Sequence, residues 1–445
     1  MSQLQHLFAE AVQLHQRGLL HEAEERYRQI LTHLPDNGNV LANLAIVCRD
    51  LGKLQEAESY ARQGLALAPD NPGAHLNLGA ILEAGGKLAE ALATYQQATT
   101  LFPDHPKILN NLGKLLHQQG DSLTARTLLH KALRLFPEYP AALNNLAVLE
   151  SDHGDLAAAE PLLEQSVALD PDNVNTLYNL ATLCNARRKE AKAAELLERV
   201  LHLAPQHQAA EHMLSALRGT TPPHAPRRYV EEVFDRYAPR FDEHLQKKLG
   251  YTAPEALAEM VRRHCAAQLP FAATLDLGCG TGLSGAAFRP LSAQLSGVDL
   301  SRLMLQRARE KGLYDRLEQD ELLHFLSHGE ERYAAFVAAD VLVYVGDPEP
   351  LFALIRQRAD DDAVIACSIE RCPLQDGAGY TLRPSGRYAH DPASLAACAA
   401  RHGFAVLARE DHDIRKEDGN WLAGDLFLFG RVRADGQEEE IAGRC

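Results

Sequence analysis

Small and apolar residues recur every 34 residues through the first half of the chain. Alanine occupies one position of every repeat, at Ala23, Ala57, Ala91, Ala125, Ala159 and Ala193. Proline occupies another, at Pro35, Pro69, Pro103, Pro137, Pro171 and Pro205. A side chain kept small at one point of each repeat lets two helices pack closely there. The pattern predicts six helix–turn–helix repeats over residues 4–207, with residues 208–217 as a final helix that covers the last apolar face.

The rest of the repeat pattern resembles the tetratricopeptide (TPR) repeat. In the third repeat, Leu78-Gly79, Ala91, Tyr95 and Ala98 occupy the positions typical of that family. The resemblance implies an all-α solenoid over residues 4–217, which offers a binding surface and not a reaction site.

An asparagine recurs at the sixth position of repeats two to six: Asn43, Asn77, Asn111, Asn145 and Asn179. Asparagine forms helices poorly, so helix stability does not explain it. A carboxamide both donates and accepts hydrogen bonds, as a peptide unit does. The series resembles the asparagine ladder of O-linked N-acetylglucosamine transferase, which implies a groove that grips an extended protein or peptide partner. The alternative is that these amides bond within or between repeats.

The pattern changes after a proline-rich stretch, residues 218–228, which predicts a stiff linker. Residues 227–251 carry apolar side chains at helical spacing, with Pro239 expected to break them into two helices. Short apolar runs then predict strands that end at Leu277 and Asp299, followed by strands over 336–343, 363–369, 404–409 and 425–433. Residues 301–311 predict a helix with Ser301 as its N-cap.

The first of these strands breaks into the glycine loop Thr274-Leu-Asp-Leu-Gly-Cys-Gly-Thr-Gly. Such loops let the backbone approach a nucleotide. NAD and S-adenosylmethionine (SAM) both fit a loop of this kind. Asp276 favours SAM, because a carboxylate at the end of a buried strand requires a partner and SAM carries an ammonium group.

The pattern of Asp276, Gly278, Gly280 and Gly282, with Cys279 inside it, closely resembles motif I of class I SAM-dependent methyltransferases. The resemblance implies an α/β Rossmann-like domain over residues 229–433, followed by a polar tail at 434–445. More narrowly, residues 234–251 with this core are similar to bacterial TPR–methyltransferase fusions and to the Williams–Beuren-region methyltransferase-like group.

The same resemblance implies roles for further residues. Asp299 at the end of the second strand accepts the ribose hydroxyls, although NAD enzymes use the same device. Leu300 and Met304 border the adenine, and Asp320 lies near its amino group. Tyr237 and Phe241 belong to an opening helix that folds over the cofactor, or else pack in the core.

Residues for the methyl acceptor are harder to identify, since an activated methyl group needs mainly alignment. Asp340 and Tyr344 follow the fourth strand, where open α/β sheets place their ligands. His390 is the candidate base, because its ordinary pKa lies near neutrality. Equally, Asp391 predicts a helix N-cap beside an idle histidine. Sequence signatures of exocyclic-amine and cytosine-C5 methyltransferases are absent.

Composition narrows the function classes. The formal charge of −15 argues against a nucleic-acid partner. Eight scattered cysteines without a C-x-x-C pair are typical of a reducing cytoplasm and indicate no metal site. No apolar run approaches the ~20 residues that span a membrane.

The chain is therefore expected to be a SAM-dependent methyltransferase whose TPR repeats recruit a protein partner or substrate. One alternative is a small-molecule or carrier-bound carboxylate methyltransferase that uses its repeats for docking, since related catalytic domains resemble malonyl-carrier methyltransferases. Another is a non-enzymatic scaffold with a cofactor-sensing domain.

Overall fold

The computed structural model of the protein describes residues 3–372, 379–417 and 419–432. The predicted polar tail, 434–445, lies outside the described residues. Two compact units divide the chain, Met1–Leu183 and Cys184–Cys445. This division falls inside a helix, earlier than the predicted end of the repeats at residue 217. Within the described ranges, no helix combines the length and apolar character needed to cross a membrane.

The first unit is built from antiparallel helix pairs. Its helices are α1 Gln3–Gln16, α2 Leu20–His33, α3 Gly38–Asp50, α4 Leu54–Leu67, α5 Pro72–Ala84, α6 Leu88–Leu101, α7 Pro106–Gln118, α8 Ser122–Leu135, α9 Pro140–Asp152, α10 Leu156–Leu169 and α11 Val174–Ala186, the last of which ends in the second unit.

The 34-residue period has a direct cause in the helix pairs. The alanines of the period are fully buried, as the close-packing argument predicts. At Gly79 a Cβ atom would lie 2.3 Å from the Tyr95 ring, so this helix crossing admits only glycine. A left-handed residue closes each turn within a pair, and it is glycine five times before Arg188 takes that place with φ +60°.

The second unit begins with the last two helices of the repeat array and continues with helices that accompany a sheet. They are α12 Glu190–Leu203, α13 Gln208–Arg218, α14 Arg227–Tyr237, α15 Phe241–Glu243, α16 Ala253–His264, α17 Leu283–Phe288, α18 Arg302–Lys311, α19 Leu322–His328, α20 Glu349–Arg358 and α21 Pro392–Arg401. A 3₁₀ turn at Ala238–Arg240 separates α14 from α15, so Pro239 breaks the opening helix as predicted.

Among its described residues, this unit has nine strands. They are β1 Phe271–Leu277, β2 Ser292–Asp299, β3 Arg316–Gln319, β4 Tyr333–Ala338, β5 Ala359–Glu370, β6 Tyr380–Leu382, β7 Tyr388–His390, β8 Phe404–Glu417 and β9 Asn420–Arg431. Seven form one sheet in the order β3-β2-β1-β4-β5-β9-β8, and β6 pairs with β7 separately. Strands β1 to β5 run parallel to one another. Strand β9 lies between β5 and β8 and is antiparallel to both.

The central strands are buried on both faces, as expected for a parallel sheet covered by helices. Phe336 and Ile365 pack into one apolar cluster, and their neighbours Val337 and Val364 pack into the cluster on the other face. This alternation fixes the register of β4 against β5. The order reverses between β1 and β4, and such a reversal opens a crevice at the carboxyl ends of the strands.

Two predicted features differ from the structure. The fourth strand ends at Ala338 and not at residue 343, because Asp340 adopts a left-handed backbone that cannot continue a strand. The predicted linker is part of the fold. The carbonyl of Pro222 accepts the Tyr388 hydroxyl at 2.9 Å, and that of Pro223 accepts the Asp347 amide at 2.6 Å.

Candidate functional site

A cavity of about 420 Å³ opens at the carboxyl ends of β1, β2 and β4. This is the point where the strand order reverses. Gly278, Cys279 and Gly280 line it after β1, Asp299 and Leu300 after β2, and Ala339 and Asp340 after β4. Its volume lies in the range of small-molecule sites.

The glycine loop needs glycine for its backbone conformation. Gly278, Gly280 and Gly282 have φ values of +63°, +53° and +89°, which other residues rarely adopt. At Gly278 a Cβ would lie 2.9 Å from Val341, whereas at Gly280 the nearest atom is Phe241 Cε1 at 3.9 Å. Space beside Gly280 is therefore open to a ligand. Gly282 does not line the cavity and instead precedes α17 as its N-cap.

Asp299 connects β2 to the loop. Its Oδ2 accepts the Gly280 amide at 2.8 Å and its Oδ1 accepts the Ser301 amide at 2.8 Å. Burial raises the pKa of Asp299 to about 6. A carboxylate oxygen has more than one lone pair, so each oxygen can accept a further hydrogen bond from a ligand.

Asp276 lies deeper than predicted, at the end of β1 and outside the cavity lining. Its Oδ2 accepts the Tyr314 hydroxyl at 2.6 Å, while Oδ1 has no partner among the described residues. Burial raises its pKa to about 7. The structure thus leaves one buried acceptor unsatisfied directly behind the glycine loop.

The three residues predicted to contact adenine lie in different surroundings. Leu300 lines the cavity, but Met304 is fully buried in the core beneath it. Asp320 turns away, because its carboxylate accepts from His324 at 2.7 Å and from the Glu321 amide at 2.8 Å. Its neighbours Glu321 and Leu322 line the cavity instead.

The opening helix lies over the glycine loop. Phe241 and Phe234 line the cavity with their rings 6.1 Å apart, while Tyr237 stacks edge-on behind Phe241 and bonds His244. Burial raises the pKa of Tyr237 to about 12, so its phenol stays protonated. The aromatic cluster therefore makes this wall of the cavity apolar.

Two aspartates fasten that helix to the segments that follow β2 and β1. Asp235 accepts the Ser301 hydroxyl at 2.5 Å, next to Asp299. Asp242 accepts the Thr281 hydroxyl of the glycine loop and pairs with Lys311 at 2.6 Å. Neither residue was predicted from the sequence. The only trace of them in the sequence is the Phe-Asp pair that occurs twice in Phe234-Asp-Arg-Tyr-Ala-Pro-Arg-Phe-Asp. The role of the two aspartates becomes apparent only from their tertiary contacts.

Asp340 and Tyr344 meet at the far end of the cavity, which both line. Arg387 donates to Asp340 Oδ2 at 3.3 Å and to the Tyr344 hydroxyl at 3.2 Å. Asp340 holds φ +58°, a strain of roughly 1–2 kcal/mol that is typical of functional positions. These two predicted residues are thus brought together by an arginine from another hairpin.

His390 does not reach the cavity. It is 1% exposed in β7, and its Nε2 donates to the Gly346 carbonyl at 3.1 Å. Burial lowers its pKa to about 4, so the ring is neutral but sealed from an acceptor. Asp391 accepts the Ser394 amide at 2.8 Å and caps α21. The geometry favours the structural interpretation of this histidine.

Residues before the catalytic domain complete the cavity. Pro223, His224, Ala225 and Arg227 line it, and the Ala225 amide donates to the Tyr344 carbonyl at 3.2 Å. These residues belong to the predicted linker, 218–228, which forms the seam between the repeats and the sheet-containing domain. The seam is one wall of the cavity.

The asparagine series is partly engaged between repeats. Asn145 Nδ2 donates to Asn110 at 2.9 Å, and Asn179 Nδ2 donates to Asn144 at 2.9 Å. Asn111 donates to the Tyr95 hydroxyl at 3.4 Å. Asn43 and Asn77, like the other three, remain partly exposed. The amide hydrogens of three of these asparagines therefore bond neighbouring repeats, as the second interpretation expects. All five residues are partly exposed, and the partner groove stays a prediction.

One group of possible metal ligands occurs among the described residues. Glu349, Cys398 and His402 bring their ligand atoms within 4.8 Å of one another. His402 already bonds Glu349 at 2.6 Å, and Arg401 pairs with the same carboxylate. These contacts account for the group without an ion.

Family models match both halves of the chain. Tetratricopeptide repeat models match residues 14–72, 81–120, 104–172 and 150–217. A methyltransferase domain model matches residues 274–359, which run from within β1 to the start of β5 and include the cavity-lining loops after β1, β2 and β4. The resemblance drawn from the sequence is confirmed in both parts.

Two curated proteins align with the catalytic half. Human methyltransferase-like protein 27 is 40% identical over 85 residues, which are 19% of this chain and 34% of that protein. The ubiquinone biosynthesis O-methyltransferase of Pasteurella multocida is 29% identical over 136 residues, 26% of this chain and 56% of that protein. The chain spans about a third and about half the length of these relatives.

Solved structures resemble each half in fold alone. Magnesium protoporphyrin IX methyltransferase of Synechocystis PCC 6803 with bound SAM covers 40% of this chain and 79% of its own, at 17% identity and a TM-score of 0.31. The Cut9–Hcn1 hetero-tetramer of the APC/C covers 47% of this chain and 42% of its own, at 21% identity and a TM-score of 0.44.

Proposed function

Because the chain joins tetratricopeptide repeats to a methyltransferase domain, we propose that it is a SAM-dependent methyltransferase whose repeats recruit a protein partner or substrate. The observation that carries the cofactor assignment is the cavity at the β1–β4 reversal, bordered by Gly278, Gly280 and Asp299. SAM supplies a methyl group already activated on a sulfonium.

The residues present suit such a ligand. Asp299 is a buried acceptor for ribose hydroxyls, and Leu300 with Leu322 supplies apolar surface for adenine. The open space beside Gly280 admits a close ligand backbone. Asp276, with an unsatisfied buried oxygen, favours a cationic group nearby, which distinguishes SAM from NAD.

The protein's own task is alignment and exclusion of water. Phe234 and Phe241 form an apolar roof held down by Asp235 and Asp242. Asp340 and Tyr344 stand at the opposite end, so we assign them contacts with the acceptor. His390 is sealed from the cavity, so it has no access to an acceptor bound there.

Calorimetric titration of the full chain with SAM, S-adenosylhomocysteine (SAH), NAD and NADP tests the cofactor. We expect the two adenosyl ligands to bind, NAD and NADP not to bind, and Asp299→Ala to abolish binding. Glu318→Gln, an exposed change on the neighbouring strand β3, serves as the control. If none of the four ligands binds, a non-enzymatic scaffold becomes the favoured function.

The partner role has its own test. Changing Asn77, Asn111 and Asn145 together to alanine removes accessible amides from three successive repeats. We expect capture of partner proteins by the repeats to fall while SAH binding is retained. Unchanged capture would show that the asparagines serve only contacts between repeats.

A further inference from the structure

Three arginines and two carboxylates meet beside the acceptor end of the cavity. Arg415 of β8 pairs with both Asp340 and Glu370, and Arg383 pairs with Glu370 at 3.2 Å. Arg387 contacts Asp340 at 3.3 Å and Glu370 at 3.8 Å. Among the described residues this group carries one surplus positive charge, and Asp376 of the neighbouring segment lies outside them.

The positive charge left over in this group lies on Arg387. Arg415 makes the shortest ion pairs with both carboxylates and is 5% exposed, so it is fully engaged. Arg387 makes the longest contacts, and its side chain is 20% exposed. A guanidinium has five donors in a planar fork that fits a carboxylate, and Arg387 uses few of them.

Arg387 adjoins the cavity through its contacts with the lining residues Asp340 and Tyr344, whereas another cation lines the cavity itself. Arg227 lines it from the seam, is exposed, and has no ion pair among the described residues. The nearby lining acid Asp347 is engaged, since its Oδ1 accepts the Glu349 amide at 3.0 Å. The remaining walls are largely apolar, with Phe234, Leu245 and Tyr251 among them.

We infer that the methyl acceptor carries a carboxylate, which Arg387 binds beside Tyr344 while Arg227 attracts it at the rim. A carboxylate brings one negative charge, equal to the surplus of the cluster. A phosphate monoester brings about −1.5 to −2 at neutral pH, which exceeds the single surplus charge of the cluster. This inference rests on the proposed function, because only a methyltransferase has a methyl acceptor. The evidence for an anion site is the position and charge of the two arginines.

Malonate, inorganic phosphate and ethylammonium are the probes. Each is titrated calorimetrically into the full chain, with and without saturating SAH. We expect malonate to bind, phosphate to bind about tenfold more weakly, and ethylammonium not to bind. Arg387→Gln should weaken malonate about tenfold or more and Arg227→Gln by a smaller factor, with SAH affinity unchanged in both.

Matched controls separate charge at the site from charge elsewhere. Arg409→Gln removes a β8 arginine that shares Asp425 with Arg371, and Arg228→Gln removes the exposed neighbour of Arg227. Both should leave malonate binding intact. Arg387→Lys, which keeps the charge without the fork, guards against loss of folding and should retain part of the affinity.

Equal malonate binding by the parent chain and Arg387→Gln, no malonate binding at all, or preference for ethylammonium or phosphate would each overturn the carboxylate assignment. Failure of SAH to bind the parent chain is a separate result. It would contradict the proposed methyl transfer, while loss of malonate binding in Arg387→Gln without SAH would still uphold the anion site.

Discussion

Two buried carboxylates dominate the site at the scale of single residues. Asp276 and Asp299 end adjacent parallel strands, and burial raises the pKa values to about 7 and about 6. Both exceed the ordinary value of 3.8, so the folded protein binds protons that the unfolded chain releases. Proton binding by these two carboxylates should therefore make the ligand-free protein more stable as the pH falls from about 7 toward 4.

Ligand binding should follow the opposite trend. The proposed ribose contact requires the ionised form of Asp299 as the hydrogen-bond acceptor, so SAH affinity is expected to fall below about pH 6, approaching tenfold per pH unit. Calorimetric titrations between pH 5 and 8 measure it. In Asp299→Asn the affinity should be lower and nearly independent of pH over this range. A parent profile that stays flat to pH 5 would mean that the carboxylate does not touch the ligand.

The element that decides access to the cavity is the opening helix with its short continuation, α14 and α15. It presents Phe234 and Phe241 to the cavity. Asp235 ties it to Ser301 after β2, and Asp242 ties it to the glycine loop. Asp242 is 37% exposed, so solvent screens its ion pair with Lys311. The fastening is accordingly modest in strength and suits a segment that opens for ligand exchange.

Asp242→Asn should hasten release of bound SAH. The loss of the ion pair and part of the Thr281 bond is worth about 0.5–1.5 kcal/mol, or roughly two- to thirteenfold in the dissociation rate. Stopped-flow fluorescence of Trp421, which packs on Gly250 beside the cavity-lining Tyr251, gives the rate. Glu259→Gln on α16 is the control. An unaltered rate would mean that the aspartate fastens the helix without governing exchange.

A second element carries contacts from the end of the repeats into the site. Helix α13, the last of the repeat array, holds the buried His212, whose Nε2 donates to the Gly386 carbonyl at 2.9 Å. Gly386 directly precedes Arg387 in the β6–β7 hairpin. The position of the proposed carboxylate-binding arginine therefore depends on a helix that precedes the methyltransferase domain.

At the scale of the whole molecule, the chain consists of two compact units with separate cores. The repeats of Met1–Leu183 pack mainly against their neighbours, and the cavity lies wholly within Cys184–Cys445. Stability in a repeat array is close to a sum of local terms. A ligand bound in the second unit should therefore stabilise that unit alone.

Differential scanning calorimetry is expected to show two transitions. SAH at 100 times its dissociation constant should stabilise one by about 2.7 kcal/mol. Gly79→Ala, which forces a Cβ against Tyr95, should lower the other and leave SAH affinity unchanged. Ala80→Gly, at the adjacent helix position, controls for a change in helix propensity. A single transition that responds to both SAH and Gly79→Ala would show that the units unfold together.

Much of this protein is determined by local sequence. The repeat length, the buried alanines, the Pro239 break and the glycine loop all follow from steric rules that act within a few residues or at one helix crossing. The assignment of Gly278, Gly280 and Asp299 to one site also follows, because parallel strands end at the same edge of a sheet.

Tertiary structure decided the rest. Whether Asp320 or Glu321 faces the cavity, and whether His390 is a base or a sealed core residue, depends on side-chain partners distant in sequence. Tyr314 meets Asp276 from 38 residues away, and Arg387 meets Asp340 from 47. The seam looked like a linker because its prolines exclude helix, yet its carbonyls bond the catalytic domain. Sequence pattern specifies local conformation and burial, whereas the pairing of buried polar groups is set only when the chain has folded around them.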